Sequence, residues 1–214
     1  MFDRSLREIQ KDILRMGGMV EKAIYDSVDA FMNQDVTTAA EVIMGDERID
    51  ELFLETEDKC IKLIATQQPM AKDLRIAVTG IKILVSLERM ADHAVDIARA
   101  TMCLSCHPLM VRSIIEIPRM ARLARQMVKD GLDAYVNHDV VKAREMCSMD
   151  DQVDFIFSHV FSDTINSMAE NPGVVTQGAY LLYVSRYLER IADHATNIGE
   201  AVIYLATGER RELN

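Results

Sequence analysis

The 214-residue chain has no tryptophan, only four prolines, nine glycines and four cysteines, and 6% aromatic residues. So few prolines and glycines leave little material for loops, and the remainder is rich in good helix formers, so the chain is expected to be all-α. Four cysteines over this length do not make a disulfide framework. Basic charge is also short. Against 34 Asp and Glu stand 24 Lys and Arg, a net charge of −10, which argues against nucleic acid as a partner because phosphate binding needs a basic face. Arg112, Arg119, Arg122, Arg125 and Lys129 gather locally and read as a solvated helix face. No apolar run reaches the roughly 20 residues needed to span a bilayer. Met1-Phe2-Asp3-Arg4 opens directly into charge rather than the apolar stretch of a signal peptide. A cytoplasmic location is therefore expected.

What the chain does have is helical periodicity. Leu6, Ile9, Ile13, Met16, Val20, Ile24, Val28 and Phe31 recur at threes and fours and predict helix 1 over about 3–33. Gly17-Gly18 inside it predict a close approach of a neighbour or a bend. Helix 2 is expected over about 36–66, ended by Gln67-Gln68-Pro69, and helix 3 runs to about Cys103 with Asp73 in its first turn, where its charge suits the helix dipole. After Pro108 the order repeats, with helix 4 over about 111–137 and helix 5 over about 140–169. Asn171-Pro172-Gly173 then breaks the chain before helix 6, over about 174–207.

The repetition is visible in the residues. Leu87-Glu88-Arg89-Met90-Ala91-Asp92-His93-Ala94-Val95-Asp96-Ile97-Ala98 returns as Leu188-Glu189-Arg190-Ile191-Ala192-Asp193-His194-Ala195-Thr196-Asn197-Ile198-Gly199, identical at eight of twelve positions and displaced by 101 residues. Residues 29–50 and 133–154 share nine identities in 22 positions at an offset of 104, among them Asp35 with Asp139, Asp46 with Asp150 and Asp50 with Asp154. The chain is thus a tandem repeat of a three-helix unit, expected as two three-helix bundles over residues 1–106 and 107–214.

Residues four apart on a helix differ by only about 40° around its axis. Glu88 and Asp92 therefore share a face with Ile81, Leu84, Val85, Ala91 and Val95, while Lys82, Ser86, Arg89 and His93 take the opposite side. Asp46 and Asp50 lie with Val42, Ile43, Ile49, Phe53 and Cys60, and Asp150 and Asp154 with Met146, Cys147, Val153, Phe157 and Phe161. Ionised carboxylates on such faces are costly unless compensated by basic residues, shared protons or cations. Arg99 and Arg186 are available by angle, yet the first half offers too few inward bases for four acids. Two readings stand: acids at helix margins, solvated or salt-bridged, or hard oxygen ligands suited to Mg²⁺, Mn²⁺, Ca²⁺ or iron. Recurrence in both halves favours the cation.

His93 and His194 each follow a motif aspartate but lie about 140° from the motif glutamate, which predicts a surface hydrogen bond or a helix-flank contact rather than ligation. Cys103-Leu104-Ser105-Cys106-His107 fits the haem-attachment pattern, but that chemistry requires export and the motif falls between the halves, so no haem is expected. Di-iron enzymes built on bundles use Glu-x-x-His, and no histidine here has a glutamate three residues before it. Phosphate loops, nucleophile elbows and kinase motifs are absent too. An enzyme is not expected.

Gln67-Gln68-Pro69 with Asp73-Leu74-Arg75, the doubled Leu-Glu-Arg-x-Ala-Asp-His motif and the Asp46/Asp50 and Asp150/Asp154 pairs resemble the PhoU family of phosphate-transport accessory proteins over nearly the whole chain. The resemblance implies a non-enzymatic negative regulator of inorganic phosphate uptake. It would act in the cytoplasm as an adaptor between a high-affinity phosphate ABC transporter, through its ATPase, and the sensor histidine kinase of the phosphate regulon. It further implies two three-helix bundles, a homodimer, membrane association only through partners, and multinuclear iron or zinc clusters, with magnesium or manganese as alternatives. By motif the ligands would be Asp46, Asp50, Glu88 and Asp92 in one half and Asp150, Asp154, Glu189 and Asp193 in the other. Asp96 answers to Asn197, so the two clusters need not match, and Glu57 lies close in angle to Asp46 but about three turns along. The competing readings are a carboxylate-bridged metal enzyme or metal store, and an accessory protein of another phosphate transporter class.

Overall fold

The computed structural model describes residues 2–104 and 112–209. Its long helices are α1 (Phe2–Asn33), α2 (Val36–Gln67), α3 (Lys72–Leu104), α4 (Ile117–Asn137), α5 (Val140–Cys147), α6 (Asp150–Glu170) and α7 (Val175–Thr207), and short 3₁₀ turns precede α4 (Arg112–Glu116) and α7 (Pro172–Val174). Among the described residues there is no strand, and no helix is long and apolar enough to cross a membrane. The expected boundary between halves, at 106/107, lies outside the described residues, as do Cys106 and His107 of the Cys-x-x-Cys-His motif.

The two halves fold alike down to their turns. Gln34 and His138 both adopt the left-handed conformation, at φ 53° and 54°, and the following aspartate caps the next helix. Asp35 accepts from the amides of Thr37 and Thr38 (2.9 and 3.2 Å), and Asp139 from those of Val141 and Lys142 (both 3.0 Å). Each satisfies amides that the first helical turn leaves without partners.

Two expectations are corrected. The helix expected to begin at about Val111 starts as a 3₁₀ turn and becomes α-helical only at Ile117, with Pro118 in its first turn. Proline belongs there because the first turn's amides have no helical partner. The single helix expected over 140–169 is two, because the chain tightens at Ser148–Met149, where the amides of Met149 and Gln152 bond to carbonyls only three residues back (both 3.0 Å). Ser148 Oγ donates to the Glu145 carbonyl (2.7 Å), and Cys147 Sγ to the Thr196 carbonyl on α7 (3.7 Å). These side chains draw the backbone out of regular α-helix.

Packing joins the halves more closely than two separate bundles would require. The helices α1, α3, α4 and α7 pack against one another at the centre, with α2 flanking one side and α5 and α6 the other. One apolar core runs through both halves, from Ile13, Met16 and Ile24 through Leu84 and Leu87 to Met127, Leu188 and Ile198. Fitting α3 against three neighbours leaves it little truly exposed side. Ser86, read by angle as solvent-facing, is buried.

The Gly17-Gly18 pair resolves into two different cases. A methyl group at Gly17 would sit 2.1 Å from Leu132 Cδ1 on α4, whereas one at Gly18 meets nothing within 4 Å. Gly17 therefore permits the approach of α4 to α1, and Gly18 only adds backbone entropy to the unfolded chain. Gly18→Ala should stabilise the protein by about 0.5–1 kcal/mol, and Gly17→Ala should destabilise it by about 1–3 kcal/mol. Urea unfolding followed by circular dichroism separates the two, and equal effects would contradict this packing.

Candidate metal centres

The eight acids of the repeated motifs meet in two groups of four. Asp46 and Asp50 on α2 face Glu88 and Asp92 on α3, and Asp150 and Asp154 at the start of α6 face Glu189 and Asp193 on α7. The acids of each group repel one another. Burial, then the charges of Asp50, Asp92 and Glu88, push the Asp46 carboxyl up to about 6. Burial, then Asp154, Asp193 and Glu189, push Asp150 up to about 7. Glu88 is raised by burial and Asp92, Glu189 by burial and Asp193, and Asp193 by burial with Asp154 opposed by Arg190. Asp50 is raised by burial and by Asp92. Such mutual repulsion requires the acids of each group to lie close together.

The second group is the more deeply set. Asp150 and Glu189 are 6% and 8% exposed, and Asp150 Oδ1 and Glu189 Oε2 are buried without a hydrogen-bond partner. An unpartnered buried carboxylate oxygen is expensive and calls for a cation, a proton or water. A groove of about 480 Å³ opens on the group and is lined by Asp150, Asp151, Asp154 and Asp193, with Arg144, Cys147 and Ser148 at its wall. In the first group Asp46 is half-buried and Asp50 exposed. Arg89 spans Glu88 and Asp92 at 3.3 Å each.

Hard carboxylate oxygens, some unpartnered, suit iron, zinc, magnesium or manganese. As the side chains stand, no three or more His, Cys, Asp or Glu among the described residues converge closely enough to hold one ion. A cation would have to draw the carboxylates together. When bound, it would supply the positive charge that the four acids lack and tie α2 to α3, or α6 to α7.

Other sequence candidates fall elsewhere. Glu57 acts on Cys60, whose thiol burial and that charge raise to about 11, rather than on the first acidic group. Cys103 is exposed. His93 and His194 make the expected helix-flank contact, and the partner is the other half. Their rings stack with centroids 5.7 Å apart where α3 meets α7, and His93 also stacks on Tyr187 at 5.7 Å. Burial lowers both, His194 to about 4 with His93 contributing. No pattern within one motif could reveal this pairing, because it joins residues 101 apart in the chain. The basic face of α4 is only partly solvated: Arg119 pairs with Glu116 at 3.5 Å, and Arg125 lies over the Tyr25 ring of α1 at 4.9 Å.

In metal-free protein these shifts make stability depend on pH. Asp150 ionises near its ordinary 3.8 in the unfolded chain but near 7 in the folded one, so the folded state takes up its proton first as pH falls. That contribution to stability is fully present below about 4 and lost as pH rises through 7. Asp150→Asn should therefore be more stable than the parent at pH 8, by about 1–2 kcal/mol after solvent screening, and the gain should vanish towards pH 4. Lowered His194 makes a pH-dependent contribution of opposite sign, which cancels in the comparison of the two proteins. Thermal melts in chelator across this range provide the check; a gain independent of pH would remove the assigned proton from Asp150.

Comparison with known proteins agrees with this architecture. The PhoU domain family matches residues 13–101 and again 117–202. A Clostridium acetobutylicum protein named phosphate-specific transport system accessory protein PhoU homolog is 44% identical, over 100% of this chain and 98% of its own length. A Caulobacter vibrioides protein of the same name is 38% identical over 97% of this chain and 90% of its own. The crystal structure of PhoU from Pseudomonas aeruginosa superposes with a TM-score of 0.94 at 31% identity, covering 98% of this chain and 100% of that one. That of the phosphate transport system regulatory protein PhoU from Streptococcus pneumoniae does so at 0.92 and 30% identity, covering both chains fully. On its doubled domain, its fold and its full-length relatives, this chain belongs to the PhoU family.

Proposed function

We propose that this protein is a negative regulator of inorganic phosphate uptake that acts without catalysing a reaction. It is a metal-binding adaptor at the cytoplasmic side of a phosphate ABC transporter, connecting the transporter ATPase to a sensor histidine kinase. The full-length relatives named as accessory proteins of phosphate-specific transport support the process. The two four-carboxylate groups, with Asp150 and Glu189 each keeping an unpartnered buried oxygen, are the single observation that supports metal binding.

The residues that would hold metal are Asp46, Asp50, Glu88 and Asp92 in one half and Asp150, Asp154, Glu189 and Asp193 in the other. Each set comes from two helices of one three-helix unit, so metal would brace the outer helix against the central one. The role fits an adaptor: it fixes the relative position of helices whose outer faces a partner would read. Iron or zinc clusters are the leading occupants, with magnesium or manganese as alternatives. A homodimer would present two such surfaces.

Deleting the gene should switch on a phosphate-starvation reporter in high phosphate, and the intact gene should silence it again. A reporter that stays silent in the deletion strain would refute the regulatory role. For the metal, elemental analysis of protein purified without chelator or metal-affinity steps should give stoichiometric metal, and Asp46→Ala/Asp92→Ala should lower the stoichiometry. Full occupancy in that double variant would exclude the first group as a ligand set. Turnover of dioxygen lost in Asp92→Asn would instead favour an oxidase.

A further inference from the structure

The two halves fold alike, but their surfaces have diverged in a cluster of rings between α6 and α7. Phe161, Tyr183 and Tyr187 stand where the first half has Glu57, Lys82 and Ser86, at the offsets of 104 and 101 residues that relate the second and third helices of the repeat. Phe161 is 46% exposed and Tyr183 59% exposed, while Tyr187 is half-buried. The fold does not require these rings, because the first half forms the same helices with a carboxylate, an amine and a hydroxyl in their places. Exposed aromatic surface that packing does not explain marks an interaction site.

The rings form one surface. The centres of Phe161 and Phe157 are 6.1 Å apart, and the Arg186 guanidinium carbon lies 5.9 Å from the centre of the Phe157 ring. Tyr183, one turn before Arg186 on α7, stacks on Tyr187 at 6.4 Å. Ile165, also exposed, extends the patch one turn along α6 from Phe161. The one charged side chain of the patch is Arg186, which Glu189 neutralises. The chain as a whole carries −10, so two copies repel wherever their acidic helix faces meet, and a nearly neutral patch is where they can approach. Rings gathered around an arginine are also the composition of interface cores. The patch is self-complementary: under a two-fold axis the half-exposed guanidinium of Arg186 in each copy can lie over the Tyr183 ring of the other.

We propose that this aromatic patch is the face through which a second copy of the chain docks, in a two-fold dimer, and that its confinement to the second half is what closes the assembly at two. The inference rests on the homodimer suggested above and gives it a place. A duplicated chain with the same patch on both repeats would offer each copy two attachment points and grow into open chains, whereas a single isologous patch is used up in the dimer. Glu57 and Lys82 keep the first half from joining, since a charge pressed against an aromatic face without a partner is costly. Phe155 replaces Glu51 in the same way and is 64% exposed, but it lies about 120° around α6 from Phe161, outside the patch.

Sedimentation velocity of the full-length protein over the micromolar range is the test. The parent should sediment as a dimer. Phe161→Glu/Tyr183→Lys, which gives both positions the residues that the first half tolerates, should weaken dimerisation by about 100-fold or more, and Phe155→Glu should leave it unchanged. Glu57→Phe/Lys82→Tyr, which copies the patch onto the first half, should assemble beyond the dimer. Thermal melts followed by circular dichroism verify that each variant is folded. A Phe161→Glu/Tyr183→Lys variant as dimeric as the parent, or a Phe155→Glu variant that dissociates, overturns the assigned face and leaves the homodimer standing. A parent that stays monomeric throughout overturns both. Glu57→Phe/Lys82→Tyr that stops at the dimer overturns the closure.

Discussion

The packing of α3 against α7 is the constraint on which the rest of the structure depends. These two third helices make the most extensive contact of any pair, and each must also serve the first and second helices of its own unit. Close approach on several sides demands small residues. Ala77, Ala91, Ala94 and Ala98 are buried along α3, and Ala192, Ala195, Gly199 and Ala201 along α7. At Gly199 even a methyl group would lie 2.5 Å from Cys147 Sγ and 3.2 Å from the Ala143 carbonyl, so α5 reaches α7 only because no side chain stands there. Once the central pair is fixed, α2 and α6 must lie on its outer sides, and the carboxylates they share with it are fixed too.

The same arrangement explains why acids can be held on semi-buried faces. Each group lies between an outer and a central helix, close enough to solvent to ionise yet close enough to its neighbours to be repelled. Apolar packing of the core holds the helices together against that repulsion. The strain is unequal. Asp150 and Glu189 lie deeper than Asp46 and Asp50, and the counter-charge is placed differently, with Arg186 on Glu189 in the second group and Arg89 on Glu88 and Asp92 in the first. Duplication supplied the same four acids twice, while divergence around them altered their burial and counter-charge.

Much of this was legible in the chain. The Leu-Glu-Arg-x-Ala-Asp-His repeat, the pairing of Asp35 with Asp139 and the threefold and fourfold spacing in α1 follow from local chemistry that a neighbour cannot easily override. The kink at Ser148–Met149 was not legible, since it comes from Cys147 reaching a carbonyl on α7 and from the local bond of Ser148. Ser86 was misplaced for a related reason: the angle around a helix gives a direction but not what stands there, and the opposite half occupies the side that a lone unit would leave to water.

The sequence by itself determined the helices except for the break at Ser148–Met149 and the 3₁₀ start before Ile117, together with their doubling and which acids share a face, because backbone periodicity acts within a few residues. The tertiary structure alone decided that His93 meets His194, that Gly17 makes room for Leu132, and that Glu189 is buried beside Arg186 with one oxygen unpartnered. Those outcomes depend on which surfaces come into contact across some hundred residues of chain, and contact, unlike periodicity, has no local signal.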